Sequence, residues 1–305
     1  MARLSTRTAS VPPLSPIPLF TACVAIWGTT WFAITFQLGR VAPEASVSYR
    51  FFFAAALVAA YCRLRRLPMR IRPADHVPLA AMGVLMYSVG YIFVYHAEMQ
   101  VVSGLIAVGY SAGPLLAMLG LRIVFGQPMT GRMALGSVLG IAGVALVFWP
   151  ELERGGHRGS VAIGALLTAS AVLVTSVGNL VAHRNHLRGL TGWPTMAWSM
   201  GYGGLVSFAV ALATGKPFAF DWSAGYLLSL ASLSVVGSVL AFGAYLTLLG
   251  QIGAARASYI GVMVPIVALA VSTVFEGFDW HALTAAGIAV SVAGNVLVLG
   301  RTRTR

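Results

Sequence analysis

Long apolar runs alternate with short polar segments along the whole chain. A helix that crosses the hydrocarbon core of a bilayer, about 30 Å thick, needs about 20 apolar residues. Ten runs approach or reach that length, at residues 17–37, 43–62, 78–97, 102–124, 131–149, 160–182, 194–213, 224–249, 254–275 and 280–300. They are too long for strands of a membrane barrel, which have about ten residues of alternating polarity. The pattern therefore predicts an all-α integral membrane protein with ten transmembrane helices.

The basic residues predict which ends of the spans face the cytoplasm. With the N-terminus placed inside, most arginines fall on the inner side. Only Arg40, Arg154, Arg158 and Lys216 fall on the outer side, and Arg50 lies within a span. Seven of the eight acidic residues fall on the outer side. We therefore expect a multi-pass protein of a bacterial inner membrane with both termini in the cytoplasm.

Composition supports a membrane protein and argues against a nucleic-acid partner. Hydrophobic residues make up 58% of the chain and charged residues 9%, whereas a soluble domain has about 25% charged residues. The net charge of +12 is explained by the inner loops, so no nucleic-acid partner is expected. Residues 1–16 hold no apolar core for a signal peptide and predict a disordered cytoplasmic tail. The two cysteines lie in or beside apolar stretches and are expected to be free thiols.

An internal repeat relates the two halves of the chain. Residues 100–149 align with residues 251–300 without a gap at an offset of 151, the separation of Pro114 and Pro265. Other matched pairs are Gln100 with Gln251, Gly126 with Gly277, Gly136 with Gly287, and Gly143 with Gly294.

The repeat predicts an inverted topology. If residues 17–149 and 160–300 each hold five spans, the second half enters the membrane from the opposite side. Inverted repeats of this kind (5+5) are typical of secondary transporters, whose substrate site lies at the repeat interface. Duplication retained only for packing is the alternative.

Several short motifs carry a resemblance to a known family. They are Trp27-Gly28-Thr29-Thr30, Arg50-Phe51, Ser103 to Leu116, Ala257-Ser258-Tyr259 through Pro265 to Phe275-Glu276-Gly277, and then Gly287 and Gly294. In this order they resemble the ten-helix EamA type of the drug/metabolite transporter superfamily. Within it the chain is most similar to amino-acid exporters such as the YddG-type aromatic amino acid exporters. One departure is Phe125-Gly126, where the family often has an acid, so a role that needs a symmetric acid pair is in doubt.

The resemblance implies a secondary transporter that exports small metabolites by alternating access, with amino acids as substrates and aromatic ones favoured. A proton-coupled exporter of drugs or other metabolites in the same superfamily is an alternative. A lipid scramblase and a membrane-embedded enzyme are alternatives of other classes. The expected partners are a small-molecule substrate and the lipid bilayer, with no ATPase subunit, for a chain expected to act as a monomer.

Two prolines predict the moving parts of the transporter. Pro114 and Pro265 each fall near the middle of a span, and a proline frees the carbonyl four residues before it. In a bilayer such a carbonyl must be satisfied by protein, water or a ligand. We therefore interpret the fourth and ninth helices as a pair of gating helices with matched kinks. Kinks that only fix packing between neighbouring helices are the alternative.

Polar-tipped and aromatic residues at mid-membrane depth predict the wall of a substrate cavity. Tyr87 and Tyr91 share one helical face, and a tyrosine at that depth needs a partner for its hydroxyl. The full set of candidates is Trp27, Thr30, Tyr87, Ser88, Tyr91, Tyr110, Asn179, Tyr245 and Tyr259. For each one, packing between helices is the alternative to contact with substrate.

Arg50 is the charged candidate. It lies about 10 Å below the outer surface at 1.5 Å per residue, where an unpaired charge is costly. It is expected either to anchor a substrate carboxylate or to pair with Glu44 or Glu98. Glu98 itself is expected in a solvated loop, and Tyr95 at the membrane interface.

Small residues predict one close helix contact. Gly136-x-x-x-Gly140 in the fifth helix and Gly287-x-x-x-Ser291 in the tenth permit two helices to approach closely. The matched positions favour a fixed seam between these helices, and a dimer contact is the alternative.

The sequence shows no ATP-binding motif of the Gly-Lys-Ser/Thr type, and no cofactor or metal is expected. No acid lies at mid-bilayer, where proton and sodium sites usually have one. Export driven by the substrate gradient is therefore favoured, with proton antiport through Arg50, Glu98 or Glu276 as the alternative.

Overall fold

A computed structural model describes residues 15–153, 158–252, 257 and 259–299. Within them the chain folds into ten helices without strands. The helices are α1 (Pro16–Thr35), α2 (Pro43–Leu64), α3 (Pro73–Glu98), α4 (Ser103–Phe125), α5 (Gly131–Glu153), α6 (Arg158–Leu187), α7 (Gly192–Ala213), α8 (Ala224–Ala231, Ser232–Leu240 and Ala241–Ile252), α9 (Ile260–Phe275) and α10 (Ala282–Leu299). Eight of the ten are long and apolar enough to cross a membrane, and α9 and α10 are shorter apolar helices. Each helix corresponds to one predicted span, so the ten-helix membrane architecture is confirmed. Residues 1–14 of the predicted tail lie outside the described residues.

Prolines and glycines set several helix boundaries. Pro16, Pro43 and Pro73 each stand at the start of a helix, where the missing N–H is not needed and the fixed φ favours the helix. Gly126 follows α4 with φ 66° and caps its end, a left-handed conformation that glycine adopts without strain. These residues bound the spans by local chemistry alone.

The sequence predicted one close helix contact, the seam between α5 and α10, and the structure confirms this contact. A Cβ atom added to Gly136 would lie 2.6 Å from the carbonyl oxygen of Gly294, and one added to Gly287 would lie 2.7 Å from that of Gly143. The helices therefore run antiparallel with their backbones in contact. Shifted by 151 residues, Gly136 and Gly143 become Gly287 and Gly294, so the two contacts are equivalent by the repeat. Repeat-equivalent helices that pack antiparallel have opposite orientations, as an inverted repeat requires.

A second feature also obeys the repeat. In α3, residues Leu85–Val89 form a π-helical stretch, and in α8 a longer one covers Ser232–Leu240. Shifted by 151, the first stretch falls on residues 236–240, the end of the second. Such stretches are rare and often occur at functional sites. No sequence signal predicted them.

The chain alternates between two ends of the helix bundle. Segments 36–42, 99–102, 214–223 and 276–281 connect helices at one end, called the predicted outer side below. Contacts between distant segments agree with this division, since Arg40 pairs with Asp221 at 3.6 Å and Gln37 donates to the carbonyl of Tyr226 at 3.0 Å. At the other end, the predicted inner side, Trp198 donates to the carbonyl of Met69 at 3.0 Å.

Helices α4 and α9 touch at the predicted outer side and part toward the inner side. A Cβ atom on Gly104 would lie 2.7 Å from Ser272 Oγ and 3.1 Å from the Cα of Leu269. Farther along, a Cβ atom on Gly113 would meet nothing within 4 Å, and one on Gly261 would meet only Pro114, at 3.9 Å. Among the described residues, the two predicted gating helices are thus in backbone contact at the predicted outer end, and their glycines farther in show no such close approach.

Candidate functional site

The break in α4 lies where Pro114 predicts it. The helix stops at Tyr110 and restarts at Gly113, and the N–H groups of Ser111 and Ala112 bond three residues back instead of four. The proline ring would clash with the carbonyl of Tyr110 in a regular helix, which explains the local tightening.

Neighbouring helices hold this break. Ser111 Oγ lies 2.9 Å from Ser291 Oγ of α10, in the seam, and Ser176 Oγ of α6 lies 3.5 Å from the carbonyl oxygen of Gly113. Pro265 lies inside α9, which continues from Ile260 to Phe275 without a break. The two prolines therefore occupy matched positions but different local structures.

Aromatic side chains meet beside the break. Trp31 of α1 and Tyr110 of α4 have ring centroids 4.9 Å apart, and the Tyr110 hydroxyl lies 3.2 Å from Thr175 Oγ1 of α6. Tyr91 of α3 packs against the same apolar cluster as these two rings. Trp31, Tyr91 and Tyr110, called the aromatic wall below, come from three helices of the first repeat and pack against one apolar cluster.

Arg50 lies next to the aromatic wall. Its guanidinium carbon is 4.6 Å from the ring centroid of Tyr91 and 5.2 Å from that of Phe51, a distance at which cation–π attraction operates. Tyr87 also packs against Phe51, at 5.3 Å. Arg50 is only 3% exposed, and its Nε and Nη1 atoms have no hydrogen-bond partner among the residues that the structure describes.

A second aromatic group joins α1 to α8. Trp27 Nε1 donates to the carbonyl of Gly237 at 3.1 Å, within the π-helical stretch. Its ring lies 5.4 Å from Phe242 and 5.5 Å from Tyr245. Thr30 lines a groove between the same two helices. The structure thus places several of the predicted cavity residues in two separate groups.

Three predicted residues lie apart from both aromatic groups. Ser88 is fully buried and accepts a hydrogen bond from Ser207 of α7 at 2.8 Å. Asn179 is exposed on α6, and Tyr259 lies just before the first residue of α9. Their roles in transport stay predictions.

Polar residues at the predicted outer side differ from expectation. Glu98 is the last residue of α3 and only 9% exposed, and neither carboxylate oxygen has a hydrogen-bond partner. The prediction of a solvated loop position was wrong for Glu98. Tyr95 is fully buried rather than interfacial. Glu44 lies 2.8 Å from His96, which leaves Glu98 as the acid that interacts electrostatically with Arg50.

Trp31 shares a helical face with Trp27, and the sequence places both among the aromatic residues expected at the cavity. Sequence reasoning missed one other contributor to this region. Ser272 gave no signal, because an isolated serine in an apolar helix is common. Among the described residues, no group of three or more His, Cys, Asp or Glu side chains is arranged to hold a metal ion.

Comparisons with known proteins agree with this architecture. The uncharacterized inner membrane transporter YedA of Escherichia coli K12 is 29% identical over 278 residues, covering 88% of this chain and 87% of that protein. An uncharacterized transporter of Archaeoglobus fulgidus is 22% identical over 90% of this chain and 95% of that protein. A solved crystal structure superposes with a TM-score of 0.67 at 17% identity, covering 92% of this chain and 95% of that chain, which shows the fold alone. The EamA-like transporter family matches the chain twice, over residues 14–149 and 162–300. The chain therefore belongs to the EamA-like transporter family.

Proposed function

We propose that this membrane transporter is a secondary transporter of the inner membrane that exports small metabolites, with amino acids as its substrates and aromatic ones favoured. Both termini face the cytoplasm, and transport follows the substrate gradient without ATP. Residues 17–149 and 160–300 form the two repeats that move relative to each other. The similarity to YddG-type exporters supports the substrate class.

The aromatic wall beside the α4 break is the observation that carries the substrate proposal. Trp31, Tyr91 and Tyr110 present flat rings with polar tips, which suit an aromatic side chain. Arg50, with unpaired donors beside Tyr91, supplies the positive charge that a carboxylate requires. Rings and guanidinium together match an aromatic amino acid better than an uncharged drug.

The one-sided contact of α4 and α9 supports alternating access. These helices touch at the predicted outer side and diverge below the α4 break. Transporters with inverted repeats reach their second state by moving one repeat against the other around the site. The break at Pro114 allows the two halves of α4 to move separately, while the α5–α10 seam stays in contact.

A proton-coupled exporter is the second candidate. The observation that favours it is Glu98, a buried carboxylate without a hydrogen-bond partner. Ionisable groups in that situation often mark proton pathways in transporters.

Flux into liposomes tests the proposal. Purified protein is reconstituted, and uptake of labelled tryptophan and phenylalanine is measured without ion gradients for wild type, Tyr91→Ala and Arg50→Ala. We expect saturable uptake that falls at least about tenfold in Tyr91→Ala, a loss of about 1.4 kcal/mol of interaction. Phe53→Ala is the matched control, because this exposed ring on α2 lies outside the site and its loss should leave uptake unchanged.

The outcomes separate the candidates. Uptake that requires an imposed proton gradient would replace gradient-driven transport with proton coupling but keep the substrate. No amino-acid flux under either condition would refute the substrate class. Equal losses in Tyr91→Ala and Phe53→Ala would refute the role of the aromatic wall.

A further inference from the structure

Three charged side chains interact electrostatically near the point where α4 and α9 close at the predicted outer side. Glu98 of α3 interacts electrostatically with Glu276 at the end of α9 and with Arg50 of α2. Arg50 and Glu98 are more than nine-tenths buried, and both have polar atoms without a hydrogen-bond partner. We call Arg50, Glu98 and Glu276 the outer charge cluster.

Glu276 ties α9 to the first turn of α4. Its Oε1 accepts the backbone N–H of Ser103 at 3.1 Å, and its Oε2 accepts Ser103 Oγ at 2.5 Å and also Ser272 Oγ. Ser272 Oγ in turn accepts the N–H of Gly104 at 2.9 Å. A carboxylate is favoured at a helix N-terminus, where backbone N–H groups are unpaired and the helix dipole is positive. These hydrogen bonds therefore link the end of α9 to the start of α4.

Glu98 has the opposite environment. It stands at the C-terminus of α3, where the helix dipole disfavours a negative charge. Within the described part of the chain its carboxylate accepts no hydrogen bond, and it interacts electrostatically with a second carboxylate, that of Glu276. An ionised carboxylate that is buried without partners is strongly disfavoured.

Charge counting gives the same result. One guanidinium and two carboxylates leave one uncompensated negative charge in the outer charge cluster, and one bound cation makes the cluster neutral. The cluster also has no counterpart in the repeat, because Arg50, Glu98 and Glu276 correspond to Gly201, Leu249 and Phe125 at the offset of 151. A contact that depends on charge is therefore present at the predicted outer side. The repeat-equivalent positions at the predicted inner side lack these charged residues.

We propose that Glu98 binds one proton when the predicted outer ends of α4 and α9 close, and that loss of this proton favours their opening. The protonated carboxyl removes the repulsion with Glu276 and leaves the Glu276–Arg50 charges balanced. When the outer ends separate, Glu276 loses its bonds to Ser103, water enters, and Glu98 releases its proton to the outer solution. The proposal deepens the transport function above, since it assigns to this site the ion that controls one gate.

The groups that face Glu98 are consistent with a proton site. Glu98 interacts electrostatically with Arg50 of α2, with Glu276 just after α9 and with Tyr95 of α3 itself, and Tyr95 interacts in the same way with Tyr226 of α8. Glu44 instead lies within hydrogen-bond distance of His96. A sodium ion would need five or six oxygen ligands around it, but the oxygens of Glu276 already accept three hydrogen bonds from Ser103 and Ser272. A proton needs no such space.

Distances between spin labels on the outer ends test the proposal without any substrate. Labels are placed at Met99→Cys and Val274→Cys, two positions that are 53% and 73% exposed. The background replaces Cys23 and Cys62, both buried, with alanine. The full-length protein in lipid nanodiscs is measured from about pH 5 to about pH 9, a range that covers buried carboxyl groups.

For wild type we expect the short-distance population to dominate at low pH and a longer distance to appear as pH rises. If one proton is released, the ratio of the long-distance population to the short-distance population rises about tenfold per pH unit over the transition. Glu98→Gln, which mimics the protonated form, should stay closed at every pH. Glu276→Gln, which removes the like charge, should also lose the pH dependence and provides a second variant if Glu98→Gln does not fold. Glu153→Gln, an exposed acid at the same side, should behave as wild type.

Three results would overturn the proposal. One is a wild-type distance distribution that does not change with pH. Another is a Glu98→Gln variant that opens with pH as wild type does. The third is opening controlled by sodium at fixed pH, with potassium or choline without effect, which would assign the site to a metal cation. The result does not depend on amino-acid flux, so failure of the substrate proposal is recognised separately.

Discussion

Adding one methyl group to the α5–α10 seam should measurably destabilise the protein. In Gly143→Ala the new Cβ would lie 2.6 Å from the carbonyl oxygen of Gly287 and 2.8 Å from the Cα of Ser291. Ordinary contacts of a Cβ atom are about 3.4 Å or longer, so the helices would have to move apart by several tenths of an ångström. The opposing atoms are backbone and cannot rotate away.

The expected magnitude follows from the cost of overpacking, which is typically about 1 to 3 kcal/mol. We expect Gly143→Ala to lower the free energy of unfolding by about 2 kcal/mol, about a 30-fold change in the unfolding equilibrium. Gly131→Ala is the matched control on the same helix, because its Cβ would meet nothing within 4 Å. Its stability should equal or slightly exceed that of wild type, since alanine favours a helix more than glycine does.

Equilibrium unfolding in mixed micelles with increasing SDS measures both variants. If Gly143→Ala were as stable as Gly131→Ala, the helices would be separable at little cost and the seam would not be a rigid contact. By the repeat, Gly294→Ala should behave as Gly143→Ala does, because its Cβ would lie 2.8 Å from the Cα of Gly140. A large effect in one helix with none in the other would contradict the equivalence of the two contacts.

Two further predictions concern polar contacts. Trp27→Phe removes the donor to the Gly237 carbonyl but keeps an aromatic ring. We expect the free energy of unfolding to fall by about 1 kcal/mol in the same assay. An unchanged free energy of unfolding would show that the π-helical stretch needs no such donor. The pKa of the Asp221 carboxyl is lowered, first by the backbone N–H of Ser223 and also by Arg40. The ionised carboxylate therefore contributes to stability above the ordinary pKa of 3.8, and this contribution is lost as pH falls through the lowered pKa. When the pH is lowered below 3.8, the thermal midpoint of Asp221→Asn should change less than that of wild type. Equal slopes of midpoint against pH would contradict this.

Much of the fold is determined by the sequence alone. The number of spans follows from apolar length, because each helix in a bilayer must satisfy its own backbone hydrogen bonds. The seam followed from glycines at matched positions, since only small residues allow two backbones to touch. The α4 break followed from Pro114, whose effect on its own helix does not depend on distant residues.

Tertiary structure decided the features of the candidate site. Glu98 and Tyr95 follow an apolar run just before a polar turn, and nothing local shows whether a neighbouring helix covers them. Their burial depends on how α2, α4 and α6 approach the end of α3. The pairing of Trp31 with Tyr110 likewise depends on which helices are neighbours. Apolar pattern fixes how many helices form and how long they are, whereas contacts between side chains far apart in the chain appear only when those helices pack.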